Sequence, residues 1–480
     1  MYDKLIFERS KKGRVGITLP KTDIKDYALP KEHLTKRDLL LPEVSEVDVI
    51  RHYTNLSLKN YGVDRGIYPL GSCTMKYNPK INEELSKNPK FNNLHPLQPD
   101  VSSQGALELE YNLEKLLNEI LGLKAFSFAP CAGAHGELTG LMMIKAYHEK
   151  NKDFKRKKII IPDSAHGTNP ASVAIVGFEV VNLQSTEDGT VDLEHLKELL
   201  DDEVAGMMLT NPNTAGLYEK DVCKITKLVH DAGGLMYYDG ANFNALLGLA
   251  KPSDMGFDVI HLNLHKSFST PHGGGGPGVG AVGVGEKLKT FLPNKHVKLE
   301  NGLYVRKKEK DSIGSVSYFQ GNYNVILKAY AYILSMGKEN IRDVGEMAVL
   351  NANYVKACLE EYYEVPVKGA IMHEVVFNGL KSKKATTLDV AKRLLDYGFH
   401  PSTIYFPLLF SQSMMVEPVE TEPKETIDEF IDALIKIAHE AEENPELLHN
   451  APHTTPVRRL DEVLAARELK VKYRDLLWLM

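Results

Sequence analysis

The residues best suited to chemistry cluster in His261-Leu262-Asn263-Leu264-His265-Lys266-Ser267-Phe268-Ser269-Thr270-Pro271-His272, followed by Gly273–Gly276, Pro277 and Gly278. An apolar, strand-like run ends in a polar turn, the turn carries one lysine, and glycines follow. Ligands of open α/β sheets bind beyond the carboxyl ends of strands. A lysine desolvated there can shed its proton and attack an aldehyde as an amine. Taken alone, the glycine run reads as a surface loop. Asp239 changes that reading. It ends the apolar run Leu235–Tyr238, opens the turn that contains Ala241, and precedes Lys266 by 27 residues, enough for a connection and one more strand. An amine for an aldehyde and a carboxylate for a pyridine nitrogen are the two demands of pyridoxal 5'-phosphate (PLP). Lys266 is therefore expected to carry a Schiff base and Asp239 to keep the ring protonated.

Other polar loops also follow apolar runs. Ala129–Leu138 places the small residues Ala132, Gly133 and Ala134, with His135, at a helix start, where exposed backbone N–H groups suit a phosphate. Asp163–Pro170 offers His166 to stack on a ring, and Thr210–Gly216 offers Thr210 and Asn211 to a ring oxygen or a substrate. Each loop alone is unremarkable; their recurrence after successive strand candidates makes the case.

The elements that must hold these loops are legible. Apolar runs at Ala125–Phe128, Lys158–Ile161, Gly177–Val181, Gly206–Leu209, Leu235–Tyr238, Val259–Leu262 and Val279–Val284 alternate with helical segments. That pattern predicts an α/β domain with a mainly parallel sheet covered on both faces. A helix is expected over Asn324–Met336, then a second α/β stretch with strands at Glu364–Val367 and Glu374–Phe377 and a helix at Thr387–Tyr397. The domains are expected as an N-terminal arm over 1–104, a large domain over 105–335, a small domain over 336–450 and an extension over 451–480.

Composition adds exclusions. With 58 Lys+Arg against 64 Asp+Glu in 480 residues, the net charge of −6 gives no nucleic-acid footprint. No apolar stretch predicts a membrane span, and the N-terminus has no apolar signal core. The four cysteines (Cys73, Cys131, Cys223 and Cys358) lack metal-ligand spacing, so no metal is expected, and reduced thiols in a cytoplasmic enzyme fit them.

Four stretches make the sequence recognisable: Tyr68–Asn78, Ala132–Gly140, Asp163–Ser172 and Asn263–Gly280. Ser312-Ile313-Gly314 and His400–Lys424, with Tyr405-Phe406-Pro407 and Met415-Val416-Glu417-Pro418, extend the match. The sequence resembles the glycine cleavage system P-proteins, the PLP-dependent glycine dehydrogenases (decarboxylating), and is most similar to subunit 2 of the two-subunit form. The resemblance implies PLP fold type I, with Lys266 in the Schiff base, Asp239 on the pyridine nitrogen and His166 on the ring. It further implies phosphate contacts from Ala132–His135 and, across an interface, from Ser312 and Gly314. It implies decarboxylation of glycine, transfer of the aminomethyl group to a lipoylated H-protein, and a lysine-free subunit 1 in a two-plus-two assembly. Ser269 departs from the expected pattern without touching this chemistry. An aminotransferase or amino-acid decarboxylase of the same fold, or a non-catalytic paralogue, are the alternative readings. Lys76, His95 and Tyr405 stand open as binders of the glycine carboxylate.

Overall fold

The computed structural model describes residues 4–36, 41–186, 188–272, 278–319, 321–469 and 471. The glycines at 273–276 lie outside these described residues. Compact packing divides the chain into Met1–Arg65 with Thr454–Met480, and Gly66–His453, whereas composition suggested divisions at 104/105 and 450/451. In the first unit, the helix Glu46–Ser57 starts at Ser45, whose Oγ accepts from the Asp48 N–H at 3.2 Å. Arg14 pairs with Asp48 at 2.7 Å.

The second unit is built on a seven-stranded sheet. In chain order its strands are β1 (Ala125–Ser127), β2 (Lys158–Pro162), β3 (Glu179–Leu183), β4 (Val204–Thr210), β5 (Leu235–Asp239), β6 (Val259–Asn263) and β7 (Gly280–Val284). They lie in the order β1-β7-β6-β5-β4-β2-β3. The pairs β3–β2, β2–β4, β4–β5 and β5–β6 are parallel, and β7 runs antiparallel to both β6 and β1. The carboxyl ends of β1, β2, β4, β5 and β6 therefore share one edge with the start of β7.

Strand alternation explains why the runs are apolar throughout. Ile160, Met207, Tyr238 and Ile260 join a core on one face, while Ile159, Ile161, Met208, Tyr237 and Val259 join a second core on the other. A third core lies in the C-terminal part, under the antiparallel strands Val375–Asn378, Ser413–Val416 and Thr403–Ile404.

The structure moves some expected boundaries. Gly177, at φ 86°, closes the helix Thr168–Val176, so the next strand starts at Glu179. The expected helix Asn324–Met336 is the first part of Tyr323–Leu359, which breaks at Gly337 (φ 67°) and resumes. The strand expected at Glu364–Val367 does not form. Only an isolated bridge joins Tyr363 to Leu380, and Pro366 has no N–H to continue a ladder. Among the described residues, no helix is long and apolar enough to cross a membrane.

Lys76 knits the second unit together. Its fully buried ammonium shares three N–H donors among four acceptors, Glu420 Oε1 at 2.7 Å, Ser267 O at 2.8 Å, Asn244 Oδ1 at 3.0 Å and Tyr332 Oη at 3.2 Å. Burial alone would push this lysine down, but Glu420 and Tyr332 hold it above its ordinary value. Lys76 is a pinned structural cation, with no donor left over for a substrate carboxylate. Lys76→Ala would strand the Glu420 charge, and we expect a loss of about 3–5 kcal/mol in denaturant unfolding.

Candidate active site

The loops at the shared sheet edge enclose a cavity of about 140 Å³. Its lining includes seven residues expected from sequence: Gly133, Ala134, His166, Thr210, Asp239, Ala241 and Lys266. Ser72, Glu137, Thr168, Thr214, Asn242, His261 and Asn263 complete it.

Asp239 is the last residue of β5 and is 2% exposed. Its Oδ1 accepts from the Ala241 N–H at 3.0 Å and lies 3.4 Å from His261 Nε2; its Oδ2 accepts from Asn169 Nδ2 at 3.1 Å. Burial works against the anion, but His261, these two hydrogen bonds and Lys266 outweigh it and hold the carboxyl below its ordinary range. The β5–β6 register sets Asp239 opposite His261, and Tyr237 Oη meets His261 Nδ1 at 2.8 Å.

Lys266 sits in the single-turn helix Leu264–Ser267 just after β6, 8% exposed, and its Nζ donates to the Ser72 carbonyl at 2.9 Å. Ser269, the departure noted in the sequence, adopts φ 54° and donates its hydroxyl to Tyr77 O. The helix Gly133–Lys150 begins at the cavity. His166 is exposed at the rim, 2.9 Å from Thr168 Oγ1 through Nδ1 and 5.7 Å from the Phe406 ring.

The remaining expected residues do not line the cavity. Ala132 caps the helix, and His135 Nδ1 accepts from the Cys131 N–H at 3.2 Å. Asn211 is turned into the protein, accepting from the Glu219 N–H at 2.9 Å. Within the chain, Ser312 and Gly314 belong to a turn bonded to Phe291 and Asn294. His95 lines a different cavity, with Phe91, Glu110 and Arg306. Tyr405 adopts φ 57° beside Phe406.

The residues fit a phosphorylated pyridine aldehyde. A desolvated amine and a buried carboxylate held ionised share one cavity with a helix N-terminus. Thr210 Oγ1 and Asn263 Oδ1 are buried there without hydrogen-bond partners. A Cβ on Gly133 would lie 2.6 Å from Asn263 Oδ1, so the helix start approaches this closely only as glycine.

Near Lys266, burial and neighbouring cations push His265 down to about 3, His272 to about 4 and His373 to about 3. Each is neutral when folded, but in the unfolded chain protonates near 6.5. Below that value the unfolded state binds more protons, so these histidines cost stability as pH falls. Buried Glu110 and Glu422, raised to about 8 and about 7, slope the other way. The expected result is thus a difference: between about pH 7 and about pH 5, His265→Gln loses less denaturation midpoint than the unmodified chain. Equal losses in both proteins would contradict it.

Residues 16–302 match the family model described as "Glycine cleavage system P-protein". The chain belongs to this family. Residues 344–453 of this P-protein chain also match "Glycine dehydrogenase, C-terminal domain". It is 61% identical over 479 residues to the probable glycine dehydrogenase (decarboxylating) subunit 2 of Caldanaerobacter subterraneus subsp. tengcongensis, covering 98% of this chain and 99% of that protein. The protein of the same description from Alkaliphilus oremlandii is 58% identical, with 98% of both chains covered. Among solved structures, an inhibitor-bound glycine decarboxylase (P-protein) of the glycine cleavage system aligns with TM-score 0.72 at 21% identity, covering 85% of this chain and 93% of that one. Lactobacillus brevis glutamate decarboxylase aligns at 0.65 and 15%, covering 92% and 98%. The P-protein chain thus has the expected fold type I architecture, a mainly parallel α/β sheet.

Sequence reasoning passed over His261, Asn263, Thr214 and Ser72 as members of the site. His261 had a signal: it sits one strand over from Asp239 at the same sheet edge. Ser72 had a weaker one: it lies in Tyr68–Asn78, one of the stretches that carry the resemblance, but outside the sheet, where no strand pattern places it.

Proposed function

We infer that this P-protein chain is the PLP-bearing subunit of a glycine decarboxylase, which releases the carboxylate of glycine as CO2 and passes the aminomethyl group to the lipoyl arm of an H-protein. The observation that carries this reading is the convergence of Lys266, Asp239 and the Gly133 helix start on one cavity, in a chain of this family. PLP bound there supplies a ring that accepts the electron pair left when CO2 departs.

The chain's own residues do the rest. Lys266 would hold the cofactor aldehyde through Nζ and would supply the amine that anchors it. Asp239, held ionised, keeps the proton on the ring nitrogen. Backbone N–H groups of Gly133 and Ala134 meet the phosphate, aided by the helix dipole. His166 at the rim would pack against the ring, and Thr210 and Asn263 would offer their unpaired atoms to its polar substituents. Loss of CO2 removes a charge, so a site that excludes water favours it. No nucleotide takes part; the oxidant is the lipoyl disulfide.

The partners we assign are a lysine-free subunit 1, in a two-plus-two assembly, and the lipoylated H-protein. Ser312 and Gly314 reach a phosphate across that assembly. The arm supports the assembly: Val15, Ile17, Leu19, Ile24 and Tyr27 are all exposed apolar side chains. The cytoplasm, where the four free cysteines stay reduced, is the location we assign.

The test is exchange of labelled bicarbonate into the glycine carboxyl group by the chain co-purified with subunit 1 and PLP. Exchange that requires both lipoylated carrier and Lys266 supports the reading. A borohydride-reducible PLP adduct without exchange would keep the cofactor and discard the reaction.

A further inference from the structure

Three carboxylates from the C-terminal part grip alternate residues of one segment. Ser72 N–H donates to Glu374 Oε2 at 2.7 Å, Thr74 Oγ1 to Glu417 Oε1 at 2.6 Å, and Lys76 Nζ to Glu420 Oε1 at 2.7 Å. Lys76 neutralises Glu420. The other two carboxylates have no such cation bonded to them.

Glu374 and Glu417 are 0% and 1% exposed. Among the described residues, Glu374 Oε1 and Glu417 Oε2 have no hydrogen-bond partner, and neither does either ring nitrogen of the adjacent, fully buried His373. One oxygen of each glutamate and one His373 nitrogen lie within 4.8 Å of one another. Two bare carboxylates this near in a dry interior repel, and one proton held by the pair removes one of the two charges. Burial and the neighbouring Glu417 push Glu374 well above its ordinary range, and burial, with Glu420 nearby, pushes Glu417 to about 7.

Ser72 connects this pair to the reactive amine. Its carbonyl accepts from Lys266 Nζ while its N–H donates to Glu374. The connection is held rigidly. Ser72 adopts φ 64°, and a Cβ on the preceding Gly71 would lie 2.2 Å from the Met415 Cβ, two residues before Glu417.

Lys266 must be neutral to attack an aldehyde, so an ammonium proton needs an acceptor. Asp239 is unsuitable, because its hydrogen bonds hold it ionised. We propose that Glu374 and Glu417 share one proton and form the acceptor for the ammonium proton of Lys266, a role that rests on the assignment of Lys266 as the PLP anchor. The transfer balances as ammonium plus carboxylate giving amine plus carboxylic acid, with no oxidant or reductant. The groups facing Glu374 are Lys266, Glu417, His373 and the Cys73 thiol; those facing Glu417 are Lys266, Glu420, Lys76, Cys73 and Thr74. Neutral His373 supplies no counter-charge; Lys266 is the cation that faces both carboxylates, while Lys76 faces Glu417 and is bonded to Glu420. The pair are positioning residues: they act through the lysine.

The experiment uses the full chain co-purified with its partner. Infrared difference spectra between this protein and its Glu417→Gln and Glu374→Gln variants should show a protonated-carboxyl band at neutral pH that each substitution removes. The pH profile for PLP attachment to Lys266, read by borohydride trapping, should shift upward by about one unit or more in each variant, and Glu417→Asp should restore part of the shift. Absence of the band, or an unshifted profile, overturns the proposal. If the variants do not fold, a Glu110→Gln/Glu219→Gln/Glu422→Gln protein decides, since it lacks the other raised carboxyls: retention of the band supports the shared proton and its absence overturns it. Failure to label Lys266 in the unmodified complex would instead sink the PLP assignment, whatever the infrared result.

Discussion

Lys266→Ala should lose bicarbonate exchange by on the order of 10⁴-fold or more, the scale seen when the nucleophile of a concerted catalytic unit is removed. The fold should survive. Lys266 Nζ makes its hydrogen bond to the Ser72 carbonyl, so truncation leaves one acceptor unpaired, a loss of about 1–3 kcal/mol. Lys266→Arg separates charge from nucleophilicity. The guanidinium keeps a cation facing Asp239, Glu374 and Glu417 but cannot deprotonate, so this variant should be as inactive as the alanine. Exchange assays with circular dichroism check both. Substantial exchange in either variant would remove Lys266 from the centre of the chemistry.

Asp239→Ala should lower exchange by about 10²–10³-fold, the usual loss when one preorganised electrostatic group is deleted from a dry site. The carboxylate is buried and held ionised by His261, the Ala241 N–H, Asn169 and Lys266. Its removal takes away the charge that keeps a ring nitrogen protonated. Asp239→Asn keeps the shape without the charge and should lose nearly as much. The substitution also frees Asn169 and Ala241 donors inside the protein, at about 1–3 kcal/mol for each unsatisfied group, so unfolding should be measured beside exchange. Unchanged exchange in Asp239→Asn would show that the negative charge has no role.

The sheet was legible because its inner strands are buried on both faces and read as short apolar runs, Val204–Thr210 most plainly, while the edge strand Glu179–Leu183 is partly exposed. Each run ended in a polar loop, and this edge is where Asp239, Thr210 and Lys266 meet. The less legible parts lie outside that pattern. The hairpin His296–Glu300 with Leu303–Lys307 is part half-buried and part exposed and mixes apolar with charged residues, so it gives no long apolar run. The strand expected at Glu364–Val367 misled because Val365 and Val367 are apolar while Pro366 cannot extend a ladder. Glu374 and Glu417 gave no chemical hint in sequence. They stand beside ordinary strand residues, and only the tertiary fold brings them to Ser72, Thr74 and the lysine.

The hydrogen bond from Ser72 to Glu374 joins positions 302 residues apart. A ribosome making this chain emits the lysine loop, the aspartate and the helix start long before Glu374 and Glu417 leave the exit tunnel. A nascent or truncated chain can assemble the sheet yet cannot hold Ser72 in place, and a chain stopped before Ser413–Val416 also lacks the strand against which Gly71 packs. The Ser72 and Thr74 hydrogen bonds therefore close only after Glu374 and Glu417 have been made.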